Sequence, residues 1–247
     1  MSQASSCARA LCLAAAATAA IAPSARAGTF SVSPVRIFME ARERATGITI
    51  ENEGDTDLVM QAELFEWKQQ PDGKDDLQPT NDLVLAPPIL KLAPHSRQVV
   101  RLANLRPVPA GEQRTYRMIV REVPEALAQE KPGVHIQVAL AFSLPVFITP
   151  PGAKRALACT ATRKNPTAVM ASCENTGQAY AEPTNFTLTG ADGATLLSTD
   201  VKAAYVLPGV KRSFELTGAN PLPAGPARMQ VTQDDGSKQI FDVQLAE

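Results

Sequence analysis

Between two proline-bearing segments the chain runs His135-Ile-Gln-Val-Ala-Leu-Ala-Phe-Ser-Leu-Pro-Val-Phe-Ile148, with a large apolar side chain at every second position. Ile136, Val138, Leu140, Phe142 and Leu144 share one face, and Gln137, Ala139, Ala141 and Ser143 share the other. That period of two is a strand's, not a helix's. Two readings stay open. Periodicity favours an ordinary core strand, but a run of this length exceeds the typical strand of about five or six residues. A strand longer than its own sandwich needs has apolar face to offer elsewhere.

Working outward, strand-like segments precede it at Phe30 to Met39, Ala45 to Asn52, Leu58 to Trp67, Leu83 to Leu85, Ile89 to Leu92, Gln98 to Leu102 and Thr115 to Glu122. Turn chemistry bounds them, as in Asn52-Glu53-Gly54-Asp55 and Pro71-Asp72-Gly73-Lys74. That density of short strands fits an immunoglobulin-like sandwich. After it, Thr149-Pro150-Pro151-Gly152 reads as a short stiff connector. A second series follows at Ala156 to Ala161, Val169 to Glu174, Thr184 to Thr189, Ala194 to Ser198, Lys211 to Leu216, Ala227 to Gln233 and Gln239 to Gln244. The expected fold is all-β: two immunoglobulin-like β-sandwiches over 28–148 and 154–247, joined by a linker at 149–153.

The first 27 residues belong to neither unit. Arg9 precedes an apolar run from Leu11 to Ala22, and Pro23-Ser-Ala-Arg-Ala27 closes on a small-x-small pattern. These are the parts of a secretory signal peptide, with cleavage expected after Ala27. The apolar run is far short of the roughly 20 residues that span a bilayer, so stable membrane insertion is not expected. Leu11 before Cys12 argues against a lipid anchor. The expected location is the periplasm.

The 247 residues carry 24 Lys plus Arg against 25 Asp plus Glu, a formal charge of -1. Loss of Arg9 and Arg26 leaves a mildly acidic protein without the positive field that nucleic acid requires. Of four cysteines, only Cys159 and Cys173 lie beyond the signal. In an oxidising compartment such a pair bonds, and Lys164-Asn165-Pro166-Thr167 midway between them supplies the turn of a hairpin. Neither CxxC spacing nor a nearby histidine suggests a metal site. His95 and His135 are the only histidines, and no nucleophile-elbow, zinc-protease or phosphate-loop pattern is present, so neither catalysis nor a cofactor is expected. Trp67 and Tyr116 read as core or interface packing.

Four segments together resemble the periplasmic pilus-assembly chaperones, the PapD-like family. Phe30-Ser-Val-Ser-Pro-Val-Arg-Ile-Phe38 is similar to the family's first strand, with its anchor arginine at Arg36. Leu85-Ala-Pro-Pro-Ile-Leu-Lys-Leu-Ala-Pro-His-Ser96 followed by Val99-Val-Arg-Leu102 resembles the family's Pro-Pro and Leu-x-Pro-Gly stretch. Tyr116-Arg-Met-Ile-Val-Arg-Glu-Val-Pro124 resembles its Arg-Glu-Ile-Pro signature. Ile136 to Leu140, continuing through Pro145-Val-Phe-Ile-Thr-Pro150, resembles the last strand of its first domain. The second domain matches weakly, mainly at Asp234-Asp235-Gly236.

The resemblance implies two angled sandwiches that capture incomplete pilus subunits by lending them a strand, and deliver them to an outer-membrane usher pore. Strand addition of this kind is a general recognition mode in which backbone bonds and alternate side chains are both supplied. It implies a donor strand carrying Ile136, Val138, Leu140 and Phe142, and a carboxylate anchor at Arg36. The family's lysine position on the last strand is Pro145 here, which makes Arg117 the expected second cation, with Arg121 and Arg155 as alternatives. The family arginine before the final proline is Thr149, so the interdomain charges expected of Glu122 and Asp234 lack a member. These departures suggest a divergent branch serving spore-coat-like pilins. The competing reading is an immunoglobulin-like surface or pilus structural subunit.

Overall fold

The computed structural model describes residues 30–70, 72–107, 111–123 and 139–246, which form strands and turns with no helix among them. The first unit contains β1 (Phe30–Ser33), β2 (Ile37–Glu40), β3 (Ala45–Asn52), β4 (Leu58–Gln69), β5 (Asp75–Pro79), β6 (Leu83–Ala86), β7 (Ile89–Leu92), β8 (Arg97–Asn104), β9 (Arg114–Glu122) and β10 (Ala141–Thr149). One sheet has the order β1-β3-β8-β6, and the other β2-β10-β9-β4-β5 with β7 also on β4. Their inner faces meet in a core that includes Ile37, Ile48, Ile50, Met60, Val100, Leu102, Tyr116, Met118, Val146 and Ile148.

Where the sequence suggested one strand from Phe30 to Met39, the chain changes sheets. β1 pairs with β3 in one sheet and β2 runs parallel to β10 in the other. Pro34 falls at the crossing, where its missing N–H would interrupt either ladder. β5 was not expected, because Asp75-Asp-Leu-Gln-Pro79 has no alternation of its own. It exists because the Asp72-Gly73 turn folds it back onto β4, opposite Phe65 to Gln69.

The second unit holds β11 (Leu157–Asn165), β12 (Ala168–Asn175), β13 (Pro183–Gly190), β14 (Thr195–Asp200), β15 (Lys211–Thr217), β16 (Gly225–Gln233) and β17 (Lys238–Leu245). Sheets β11-β12-β15 and β14-β13-β16-β17 enclose a core centred on Val169, Ala171, Phe186, Leu188, Leu216, Met229 and Val231. Cys159 and Cys173 are register partners on β11 and β12 and are joined by a disulfide. Both sandwiches use one polar device. Buried Asn52 donates to the carbonyls of Leu92 and Ala93, while buried Asn175 donates to those of Ala179 and Val206. Each also accepts from a backbone N–H two residues on, at Gly54 and Gly177. Gly177 has a steric duty as well. A Cβ there would come 2.4 Å from the Lys154 carbonyl, because the chain entering the second sandwich lies directly against this turn.

Candidate functional site: the cleft between the sandwiches

The outer face of the β2-β10-β9-β4-β5 sheet looks toward the second sandwich. Trp67 from β4 and Phe147 from β10 pack there against Tyr180, Tyr205 and Leu207, all buried. Phe147 and Tyr180 stack with centroids 4.0 Å apart, and Trp67 meets Tyr205 edge-on at 5.4 Å. Two glutamine side chains add backbone-like bonds across the junction. Gln113 Oε1 accepts from the Tyr180 N–H, and Gln69 both donates to the Tyr205 carbonyl and accepts from the Leu207 N–H. Such a polar ring fixes orientation, whereas the aromatic cluster supplies buried area.

Strand register sets the cations. Pro145 on β10 lies opposite Arg117 on β9. One step further, Val146 lies opposite Ile37, which puts Arg36 across from Pro145 on the other side. Arg36, Pro145 and Arg117 thus form one row over three adjacent strands. Their neighbours Ile37, Val146, Tyr116 and Met118 all enter the core, so the row faces the cleft.

Arg36 Nη1 donates to Glu182 Oε2 and to Asp234 Oδ2, both at 2.8 Å. Arg155 Nη1 donates to Asp234 Oδ1 at 2.6 Å, and its guanidinium lies 4.2 Å from the centre of the Tyr180 ring. Burial lifts the Glu182 carboxyl above its usual range against the pull of Arg36. Burial also pushes the Tyr180 hydroxyl up to about 12, so it is a proton donor to Asp234 at 3.2 Å. The expected interdomain charges need correction here. Asp234 is at the junction, but Glu122 is at the far end of β9, about 17 Å along the strand from Arg117 at ~3.4 Å per residue, where its Oε2 is buried without a hydrogen-bond partner among the described residues. Glu182 holds the acidic place instead. Thr149, which accepts from Gln113 Nε2, leaves no gap, because Arg36 and Arg155 supply the cations.

The Arg117 guanidinium lies over Trp67, 3.7 Å from the ring centre, with Nη2 3.3 Å from Asp75 Oδ2. Burial pulls its pKa below the ordinary arginine value, with Asp75 opposing. Arg121 lies away from the cleft row on β9 and pairs with Glu63. His95 Nε2 is 3.1 Å from Asp55 on the surface, and the neighbouring Ser96 hydroxyl donates to the Ala93 carbonyl.

β10 is flanked differently along its length. β9 pairs with it from Ala141 to Ile148, but β2 covers its other side only from Val146 onward. From Ala141 to Pro145 that second edge has no strand partner among the described residues. Leu140 packs on the first core, and Phe142, 41% exposed, meets Phe30 edge-on at 4.9 Å. Ile136 and Val138 lie outside the described residues. Glu182, Tyr180 and Tyr205 had no warning in the strand pattern. The sole available signal was rarity, since Tyr180 and Tyr205 are two of three tyrosines in a chain that is 5% aromatic.

The profile of the pili and flagellar-assembly chaperone PapD N-terminal domain matches residues 29–154. Among characterised relatives, chaperone protein LpfB of Salmonella typhimurium is 23% identical over 137 residues, which is 55% of this chain and 56% of LpfB, so the match spans just over half of that relative. A chain of the CsuC-CsuE chaperone-tip adhesion subunit pre-assembly complex of Acinetobacter baumannii superimposes with a TM-score of 0.62 at 22% identity, covering 89% of this chain and all of that one. The E. coli chaperone DraB superimposes with a TM-score of 0.56 at 19% identity, covering 90% of this chain and 98% of DraB. At such identities the structural likeness establishes the two-sandwich fold. With the profile covering half the sequence, the chain belongs to the PapD-type pili and flagellar-assembly chaperones.

Proposed function

We propose that this protein is a periplasmic chaperone that captures pilus subunits by lending them the strand that begins near Ile136 and passes them to an outer-membrane usher. It is exported by residues 1–27, and its sandwiches occupy 28–148 and 154–247. The observation that carries this reading is the half-covered edge of β10. A strand pairing along Ala141 to Pro145 would lie in line with β2 and meet its beginning at Arg36. A strand whose carboxyl end stops there runs parallel to β10, as β2 does, and delivers its terminal carboxylate to the row of Arg36 and Arg117. Ile136, Val138, Leu140 and Phe142 then present alternate side chains at ~6.6 Å spacing to successive pockets of the subunit. The subunit's unpaired edge and apolar groove, both aggregation hazards, are covered in one step.

Co-expression with a pilus subunit from the same organism tests this. The wild type should co-purify as a discrete complex and remain monomeric alone, whereas self-polymerisation would favour a structural subunit. Arg36→Ala should lower complex stability by ~2–5 kcal/mol through loss of a hydrogen-bonded charge partner. Wild-type recovery of subunit by folded Arg36→Ala would remove Arg36 from the anchor.

A further inference from the structure

Most arginines of this protein are engaged: seven pair with carboxylates, and Arg163 and Arg212 donate to backbone carbonyls. Four are not. Arg42, Arg44, Arg97 and Arg101 are exposed, and their guanidiniums have neither an ion pair nor a hydrogen bond among the described residues. All four belong to one place, the outer face and junction-side end of the β1-β3-β8-β6 sheet.

Along β8 and one residue beyond it, Arg97, Val99, Arg101, Ala103 and Leu105 alternate with core residues Val100 and Leu102, so the odd positions look outward. Leu105 keeps this register because its N–H donates to the Asp82 carbonyl beside β6. Arg101 lies between Gly47 of β3 and Ala86 of β6, and Ala103 lies between Ala45 and Val84. Gly47 keeps the middle of the face low, since a Cβ there would come 3.1 Å from Val99 Cγ1. Val84, Val99 and Leu105 are 43%, 56% and 60% exposed. At the Leu105 end, Arg42 and Arg44 of the β2–β3 turn join Arg106 around a depression of about 260 Å³. Against these charges stand Glu51, the register partner of Arg97, and Glu43, whose Oε2 accepts the Glu40 N–H; Arg106 is matched by Asp82. The unpaired arginines outnumber the acids around them on a chain whose formal charge is -1, so the remaining surface is correspondingly acidic.

We propose that this face docks reversibly on a bilayer that carries anionic lipid, with the arginines on headgroup phosphates and Val84, Val99 and Leu105 resting at headgroup level. Two features favour a lipid surface over a protein partner. A protein interface keeps charge at its rim and out of its centre, whereas Arg101 stands at the centre of this face with only small side chains beside it. From Arg97 to Leu105 the face is flat over about 27 Å at ~3.4 Å per residue, which suits a plane of phosphates rather than one bound segment. Guanidinium forks bind phosphate oxygens in pairs, and their stems cover apolar neighbours while the heads stay in water. Charge asymmetry sets the orientation, because this face is attracted to an anionic surface and the acidic remainder is repelled. The contact is peripheral and mainly electrostatic. β10 belongs to the opposite sheet, so a protein docked this way keeps the cleft uncovered, and the inference does not depend on strand lending.

The test is sedimentation with vesicles of phosphatidylethanolamine, made with and without phosphatidylglycerol. It uses the exported form, residues 28–247, so that the signal segment does not itself bind lipid. At salt on the order of 0.01 M, where the Debye length is about 30 Å, the protein should sediment with the phosphatidylglycerol vesicles alone, and salt of about 1 M should release it. Arg97→Gln combined with Arg101→Gln should weaken partitioning roughly 25-fold, about fivefold for each arginine. Lys202→Gln combined with Lys211→Gln removes the same charge from exposed positions of the second sandwich and should bind as wild type does. Partitioning of the two-arginine variant equal to wild type overturns the proposal. Equal weakening by both pairs also overturns it, because net charge rather than this face would then be responsible, and so does binding indifferent to phosphatidylglycerol. A wild type that ignores the vesicles but binds an acidic protein through Arg97 and Arg101 assigns the face to a protein partner, and overturns the lipid assignment. Both guanidiniums are exposed and unbonded, so the variant should unfold at the wild-type temperature. If it does not, Arg42→Gln combined with Arg44→Gln, at the other end of the face, decides by the same comparison.

Discussion

The two ends of β10 are built from similar residues and end up in different situations. From Val146 to Ile148 the strand lies between β2 and β9, and its side chains are fully buried on both faces: Val146 and Ile148 in the core, Phe147 in the junction. From Ala141 to Ser143 the strand has, among the described residues, β9 on one side only, and its side chains are exposed. Apolar alternation is common to both ends. What separates them is the supply of a neighbour, because β2 is four residues long and begins at Ile37. An edge with unpaired backbone groups and an apolar face is a liability unless a partner is meant to cover it.

The sharpest way to break this contrast is to put a charge at each end. Val146→Asp buries an unpaired carboxylate and should cost about 4 kcal/mol or more, enough to unfold the first sandwich. Phe142→Asp should leave thermal unfolding of the free protein within a few degrees of wild type while abolishing subunit co-purification. Unfolding by both variants would make β10 a core strand throughout. The second sandwich provides a control, since its stability leans on a cross-link rather than on β10. Replacing Cys159 and Cys173 by alanine should lower its denaturant stability by ~3 kcal/mol, the value expected for closing a loop of that size, and leave Phe142-dependent capture unchanged.

The smallest expected effect concerns the charges that fix the sandwiches against each other. Folding lifts the Glu182 pKa above its ordinary 4.5. Its contribution to stability is therefore complete below that value and is lost as pH rises through the higher folded value. Glu182→Gln is free of this loss, so its unfolding temperature relative to wild type should climb as pH is raised from 4 towards neutrality. A flat difference across that range would mean that Glu182 is not held in the buried environment described here.

Local pattern carried the strands, because alternation and turn chemistry act over a few residues. It also carried the cysteine pair, whose hairpin is short. It missed the sheet switch at Pro34, where an apolar run continues across a break that only a second sheet makes sense of. It missed β5, which is held by β4 rather than by its own composition. The cleft was legible in part: Arg36, Arg117 and Asp234 were all singled out, and all line the junction or face it. Glu122 was misplaced because a position along β9 says nothing about which end of the strand meets the other sandwich. Glu182 went unseen because its partner lies far away in sequence; Arg36 and Glu182 are 146 positions apart, and no periodicity reports a contact of that range.

Amide hydrogen exchange along β10, compared between the free protein and its complex with a co-purified pilus subunit, addresses the lent strand most directly. In the free protein, amides from Val146 to Ile148 should be strongly protected and those from Ala141 to Leu144 less so, because only one side of that segment is paired among the described residues. On capture, protection should rise across Ala141 to Leu144 and stay unchanged at Val146 to Ile148. A complex that co-purifies intact but leaves exchange at Ala141 to Leu144 as fast as in the free protein would show that the subunit is held elsewhere, and would contradict the account.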